Sequence, residues 1–250
     1  MLETRQVAKE TFITKFSSPT IARAMAPGQF VMVSFPGSMD PLLPRAYSVC
    51  DADGEWLSLL YFRVGKGTTR LSQVRTGETV TMNGPLGRGF PQFRPRENVW
   101  CLVGGSGAAV APILDRESRK EKAALRLFYG ARTADQIVDF GIERTDYSTD
   151  DGSKGYHGTV VEMVKHEVAE TKPDRILACG PMAMLKQVCD EFMAVVPTFI
   201  SVETPMACGN GLCQGCPVKM ANSNDYMLAC KDGPVFEAAS LDLGQWGVSR

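Results

Sequence analysis

The chain has 250 residues, 44% of them hydrophobic and 22% charged, with 27 basic side chains against 28 acidic ones and a net charge of −1. That length is material for roughly one to two domains of about 150 residues each, with a sizeable core. A charge this close to zero gives no electrostatic case for nucleic acid or an anionic membrane, and no apolar run reaches the roughly 18 residues of a membrane span.

The opening "MLETRQVAKETF" carries charge from its start and lacks the apolar core of a secretion signal, so a cytoplasmic location is expected. Through residues 1–97, short alternating segments are separated by Gly and Pro. Strands are predicted at 28–35 (GQFVMVSF), 45–51 (RAYSVCD), 55–64 (EWLSLLYFRV) and 77–84 (GETVTMNG). Several short strands at that spacing predict an antiparallel β-barrel. In "PRAYSV", Arg45 is suited to pair with a phosphate, Tyr47 to lie on an aromatic ring and Ser48 to reach a ring nitrogen; alternation puts Arg45 and Tyr47 on one face. Alone, the same residues read more readily as a surface Arg beside a core Tyr. The next segment, "LYFRVGKGTTRLS", runs from a strand through Gly65 and Gly67 into a helix start, with Thr68 or Thr69 predicted as N-cap. Glycines there let the backbone approach a pyrophosphate, the helix offers free amides, and Arg63 and Lys66 add positive charge.

Residues 98–200 change rhythm to apolar strand, Gly turn and helix, which predicts a parallel sheet covered on both faces. "LVGGSGAAVAPIL" places Gly104, Gly105 and Gly107 between a strand and a helix, where an α/β sheet binds a nucleotide. Ala109 stands where the last glycine of the fingerprint belongs, and "LFYGARTAD" lacks a ribose-gripping acid, so the turn reads equally as close packing. "TDYSTDDGSKGYHG" (145–158) is polar and predicts an exposed loop. "DRILACG" leads into a second helix whose Leu185, Val188, Phe192 and Val195 share a face, with Cys179 and Gly180 flanking the same crevice. His157 and His166 lie in polar context and read as solvated; Cys50, Cys101 and Cys189 read as small buried residues.

Residues 201–250 show little periodicity but hold Cys208, Cys213 and Cys216 in "MACGNGLCQGCPVK", with Cys230 downstream. C-x4-C-x2-C with a distant fourth cysteine is the plant-type [2Fe–2S] spacing. Four thiolates must converge on two irons, and the cluster's sulfurs need inward-pointing amides; Gly209, Gly211 and Gly215 permit positive φ, and Asn210 tolerates it. Zinc is the competitor, but structural zinc sites usually carry two knuckles and only Cys213 and Cys216 form one. A metal-free loop would leave three thiols open to oxidation.

Taken in order, R-x-Y-S, the GKGT turn, GGSG, CGPM and the cysteine loop resemble the ferredoxin–NADP reductase superfamily across nearly the whole chain. "CGNGLCQGC…CKDGPVF" looks like the electron-transfer subunits of type B dihydroorotate dehydrogenases. The resemblance implies an FAD-binding antiparallel barrel at 1–97, an NAD-binding α/β domain at 98–200 and a small [2Fe–2S] lobe at 201–250. It implies that Arg45, Ala46, Tyr47 and Ser48 hold FAD, with Tyr61, Phe62, Arg63, Gly67 and Thr68. It implies cluster ligation by Cys208, Cys213, Cys216 and Cys230, and no acid–base catalyst from this chain. Ala46 stands where such proteins often carry Pro. The implied partner is an FMN-containing catalytic subunit that oxidises dihydroorotate in pyrimidine biosynthesis, its electrons passing through the cluster and FAD to NAD+. Alternatives are a related reductase serving a hydrogenase, sulfite reductase or ferredoxin, and a zinc-binding scaffold without redox role. Preference for NAD over NADP stays open on the residues alone.

Overall fold

The computed structural model describes residues 1–37 and 39–245. Its first part contains β1 (Glu3–Ala8), β2 (Thr11–Ser17), α1 (Pro19–Ala24), β3 (Phe30–Ser34), β4 (Arg45–Asp53), β5 (Trp56–Phe62), α2 (Lys66–Ser72) and β6 (Thr81–Leu86). The strands form one antiparallel sheet in the order β1-β2-β5-β4-β3-β6. Strand β4 curls it: Arg45–Ser48 pair with β3, whereas Val49–Asp53 pair with β5. The turn before β6 bridges the remaining gap, where the Gly77 amide donates to the Met1 carbonyl at 3.1 Å and the Thr76 hydroxyl to that of Leu2 at 3.2 Å. Phe12, Phe16, Val31, Val33, Leu57 and Leu59 fill the interior. The expected barrel is present, and the four predicted strands are β3 to β6. Helix α2 begins earlier than expected, with Gly65 as N-cap. Thr68 sits inside the first turn, where its hydroxyl oxygen accepts from the Val64 and Gly65 amides at 3.0 and 3.1 Å.

The second part contains β7 (Asn98–Gly104), α3 (Ala111–Lys120), β8 (Ala124–Ala131), β9 (Thr145–Thr149), β10 (Tyr156–His157), α4 (Val160–Glu170), β11 (Arg175–Cys179), α5 (Met182–Phe192) and β12 (Thr198–Ser201). Strands β10-β9-β8-β7-β11-β12 are parallel in that order. Successive strands add outward from β7 in one direction, then the chain crosses to β11 on its other side, so the switch point lies between the carboxyl ends of β7 and β11. Strand β7 is a continuous buried run because both faces are covered. Trp100 and Leu102 pack with Val161, Val164, Leu185 and Val188 of α4 and α5. Cys101 and Val103 pack with Ala111 and Leu114 on the α3 side.

Two expectations change here. The 145–158 segment is not simply an exposed loop, since it opens as β9 and buries Ser148 and Thr149 completely; hydroxyl side chains conceal a strand that is interior on both sides. Helix α5 ends at Phe192, which leaves Val195 50% exposed, and Cys189 completes the buried stripe with Leu185, Val188 and Phe192.

After β12 come β13 (Pro217–Lys219), β14 (Tyr226–Leu228) and β15 (Val235–Glu237). The first two form a hairpin, and β15 runs antiparallel to β12 on the edge of the large sheet. The same segment leans on the barrel: the Arg88 amide donates to the Gly233 carbonyl, and a Cβ on Gly209 would lie 2.5 Å from Cγ of Met32. A buried ion pair, Arg175 to Glu97 at 3.0 Å with both side chains 4% exposed, pins the barrel's exit to β11.

Candidate functional site

A cleft of about 450 Å³ opens where these three segments meet. The barrel contributes Ala46, Tyr47 and Ser48 from β4, Tyr61 and Phe62 from β5, and Thr68 from α2. Ser106 and Ala109 come from the turn after β7, and Ser201 to Thr204 with Met206 close the third side. The alternation of β4 explains Tyr47: the strand turns it inward, to 6% exposure, beneath α2. Gly67 is what lets α2 lie there, since a Cβ at that position would meet Cγ of Arg45 at 2.9 Å and the Tyr47 hydroxyl at 3.6 Å.

Arg45 and Arg63 lie outside this cleft. Arg45 is exposed and donates to the Leu43 and Pro44 carbonyls at 3.0 and 3.3 Å. Arg63 faces a neighbouring groove of about 610 Å³ with Lys66 and Arg70, at the amino end of α2. Two hydrogen bonds from Arg63 to Glu10, at 2.8 and 3.0 Å, hold that carboxyl below its usual range. Lys66 pairs with Asp40 at 2.7 Å. With Arg63, Lys66 and Arg70 on its rim, the groove has the basic character that suits a pyrophosphate.

Two hydroxyls decide whether the cleft fits a flavin. Tyr47 Oη and Thr204 Oγ1 are buried and have no hydrogen-bond partner among the described residues, and both residues line the cleft. Tyr61, by contrast, is satisfied within the barrel by Thr14 at 2.8 Å. Burial also pushes the Tyr47 hydroxyl pKa well above its ordinary value. Native structures rarely leave buried hydroxyls orphaned, so two facing one cleft from different sides point to a ligand with polar edges. Leu60, Phe62 and Val202 supply apolar wall beside them. The residues fit FAD.

The cysteine loop fits a sulfur-ligated cluster. Gly209 and Gly211 take φ of +74° and +87° as expected, but the third left-handed residue is Gln214 rather than Gly215 or Asn210. Cys216 and Cys230, each 2% exposed, bring their sulfurs to 3.2 Å. Backbone amides converge on the thiols: Gly211 on Cys230 at 3.1 Å and Cys213 on Cys208 at 3.4 Å. Backbone amides, that of Cys213 foremost and that of Asn210 next, lower the Cys208 pKa to about 6, whereas burial raises Cys230 to about 12. Cys213 stays exposed. Among the described residues no three ligating side chains meet as a single-ion site. The donors are four thiols without imidazole or carboxylate, the set that suits iron and sulfide.

At the switch point the five predicted nucleotide residues come together, and their glycines divide by role. A Cβ on Gly104 would strike Met184 Sδ at 2.6 Å, and one on Gly107 would run into the Cys179 carbonyl. Gly104 therefore serves close packing against the start of α5, and Gly107 close packing of the β7 turn on β11. Gly105 (φ +53°) needs glycine for its own conformation and lies under the Phe62 ring. Gly180 is crowded by Met184, and Cys179 is buried, its thiol pKa raised to about 12. Cys50, Cys101 and Cys189 are buried and His157 and His166 are exposed, as expected.

Ser106, Ser201, Glu203, Thr204 and Met206 are cleft residues that the sequence did not single out. Glu203 is reachable from the mouth, yet the walls strip part of its water and raise its carboxyl pKa. The one available signal was position: "SVETPM" joins a strand end directly to the first cluster cysteine.

Residues 203–242 match the family model described as the iron-sulfur cluster binding domain of dihydroorotate dehydrogenase B. The dihydroorotate dehydrogenase B (NAD(+)) electron transfer subunit of Desulforamulus reducens is 38% identical over 246 residues, with 94% of each chain covered. The protein of the same name from Geobacillus kaustophilus is 34% identical, covering 96% of this chain and 95% of that one. A solved structure of an NADH-dependent reduced ferredoxin-NADP oxidoreductase superposes with a TM-score of 0.86 at 26% identity, over 98% of this chain and 89% of that chain. Phthalate dioxygenase reductase shares the fold, with a TM-score of 0.61 at 18% identity over 95% and 75% of the two chains.

Proposed function

The chain belongs to the family of dihydroorotate dehydrogenase B electron transfer subunits, and we propose that it carries electrons from an FMN-containing dihydroorotate dehydrogenase subunit to NAD+. It works in pyrimidine biosynthesis, in the cytoplasm, within a hetero-oligomer of the two subunits. Among the described residues no helix is long and apolar enough to cross a membrane.

When bound, a [2Fe–2S] cluster exchanges single electrons, and FAD exchanges one electron with iron or a hydride with nicotinamide. The chain's own residues position these groups and exclude water. Cys208, Cys213, Cys216 and Cys230 would hold the cluster, with the Gly211 and Cys213 amides stabilising thiolate charge. Arg45, Ala46, Tyr47, Ser48, Tyr61, Phe62, Gly67 and Thr68 would hold FAD, with Arg63 at the basic groove. Gly104, Gly105, Gly107, Cys179 and Gly180 would form the NAD side of the crevice. The divisions 1–97, 98–200 and 201–250 then serve FAD, NAD and cluster respectively, with β15 tying the last to the sheet of the second. No side chain need move a proton.

One observation carries the reading: a single cleft with orphaned hydroxyls is walled by all three segments, and Met206 in its wall lies two residues before Cys208. Likeness to the NADH-dependent ferredoxin-NADP oxidoreductase supports a second reading, with ferredoxin as partner. Anaerobic purification with a tagged dihydroorotate-oxidising subunit tests both. Recovery of a brown-yellow complex that reduces NAD+ with dihydroorotate is expected. A colourless chain that retains zinc overturns the redox function, and a coloured chain that reacts only with ferredoxin overturns the partner.

A further inference from the structure

Four buried side-chain polar atoms lack a partner among the described residues: Tyr47 Oη, Ser148 Oγ, Arg175 Nε and Thr204 Oγ1. Only Tyr47 and Thr204 line the cleft. Tyr47 belongs to the β4 motif, but Thr204 belongs to none. It follows β12, stands next to Glu203 and precedes Cys208 by four residues. Its neighbours in the chain, Val202, Glu203 and Met206, face the same cleft, so the whole segment is wall. Other threonines in this fold find partners: Thr198 donates to the Val196 carbonyl at 2.9 Å and Thr149 to that of Lys154 at 3.1 Å. A buried hydroxyl left without one costs its desolvation, which a bound polar ligand would recover.

We propose that Thr204 is a cofactor-contacting residue whose hydroxyl hydrogen-bonds the heteroatom-bearing ring system of FAD. This rests on the FAD reading of the cleft. The contact comes from the segment that enters the cysteine loop, so the flavin is gripped from the cluster side as well as from the barrel. Among the described residues the hydroxyl has no other partner to lose, so its removal reads out at the flavin.

The test compares Thr204→Val, which keeps shape and deletes the hydroxyl, with Thr204→Ser, which keeps the hydroxyl and deletes a methyl. Each full-length protein is stripped of flavin and titrated with FAD, and its flavin reduction potential, iron and sulfide are measured. Thr204→Val is expected to weaken FAD binding by about 5–10-fold, the usual worth of one hydrogen bond, and to shift the flavin potential. Thr204→Ser is expected to stay within about 2-fold of the parent in affinity, since it keeps the bond, and iron and sulfide should be unchanged in both. Parent-like affinity and potential in Thr204→Val overturn the proposal while leaving FAD in the cleft. Equal weakening in Thr204→Ser also overturns it, because packing rather than the hydroxyl would then matter; this arm reads out even if the Val variant fails to fold. A parent protein that takes up no FAD overturns the cleft assignment and the proposal together.

Discussion

The sheet around β7 and the cysteine segment after β12 reach order by opposite means. Every residue from Val99 to Val103 is at most 1% exposed, covered by helices on both faces and paired with β8 and β11, so that strand is held without any bound group. The cysteine segment buries Cys216, Val218, Ala229 and Cys230, yet leaves Leu212 81%, Tyr226 58% and Met227 40% exposed on short strands and loop. A segment this thin shares the edge of the large sheet's core through Cys216, Val218, Ala229 and Cys230, and bonds to a metal centre would supply the rest of its order. The first region should therefore be indifferent to cofactor loss, and the second should depend on it.

The largest expected effect strikes the second region. Cys216→Ser removes one of two buried sulfurs 3.2 Å apart and is expected to reduce iron and sulfide to background. Limited proteolysis should then cut within 205–232, while far-UV circular dichroism and FAD binding hold. Global unfolding of that variant would break the comparison, because the sheet would then lean on the cluster too. The next effect strikes the junction of barrel and sheet. Glu97→Ala leaves Arg175 buried with an unmatched charge, and an uncompensated buried charge costs about 3–5 kcal/mol. Urea unfolding should show that loss, with cluster content untouched. A smaller effect belongs to α4, where the Thr159 hydroxyl oxygen accepts from the Glu162 amide at 3.2 Å and the Glu162 carboxylate accepts from the Thr159 amide at 2.8 Å. Thr159→Ala is expected to cost about 1 kcal/mol in the same assay, again without change in iron.

What could be read from the sequence follows the same divide. The cysteine site was legible because its chemistry is local: four thiols and their glycines lie within one stretch, and only the identity of the left-handed residue, Gln214, was missed. Strands β3 to β6 were legible from apolar alternation, whereas β1 was not, since its exposed "ETRQVA" carries no such pattern. Strand β9 was hidden because its buried positions are Ser148 and Thr149. The cleft was half legible. Its barrel wall follows from R-x-Y-S, but the wall from Ser201 to Met206 exists only because β12 ends beside the barrel, a tertiary fact that no local spacing encodes. The glycines of the β7 turn were found, yet two of them turned out to serve packing against Met184 and Cys179.

Glu203 stands on the seam between the two regions, and it gives the smallest and most discriminating test. Partial burial raises its carboxyl pKa above the ordinary 4.5. The folded state thus favours the protonated acid, and the associated stability is fully present below pH about 4.5 and lost as pH rises through the folded pKa. At neutral pH the carboxyl is a net cost to the fold, trimmed by solvent at the cleft mouth. Glu203→Gln is therefore expected to raise the thermal midpoint slightly at pH 7 and to leave it unchanged at pH 4. An equal shift at both pH values would mean that the variant acts through packing instead.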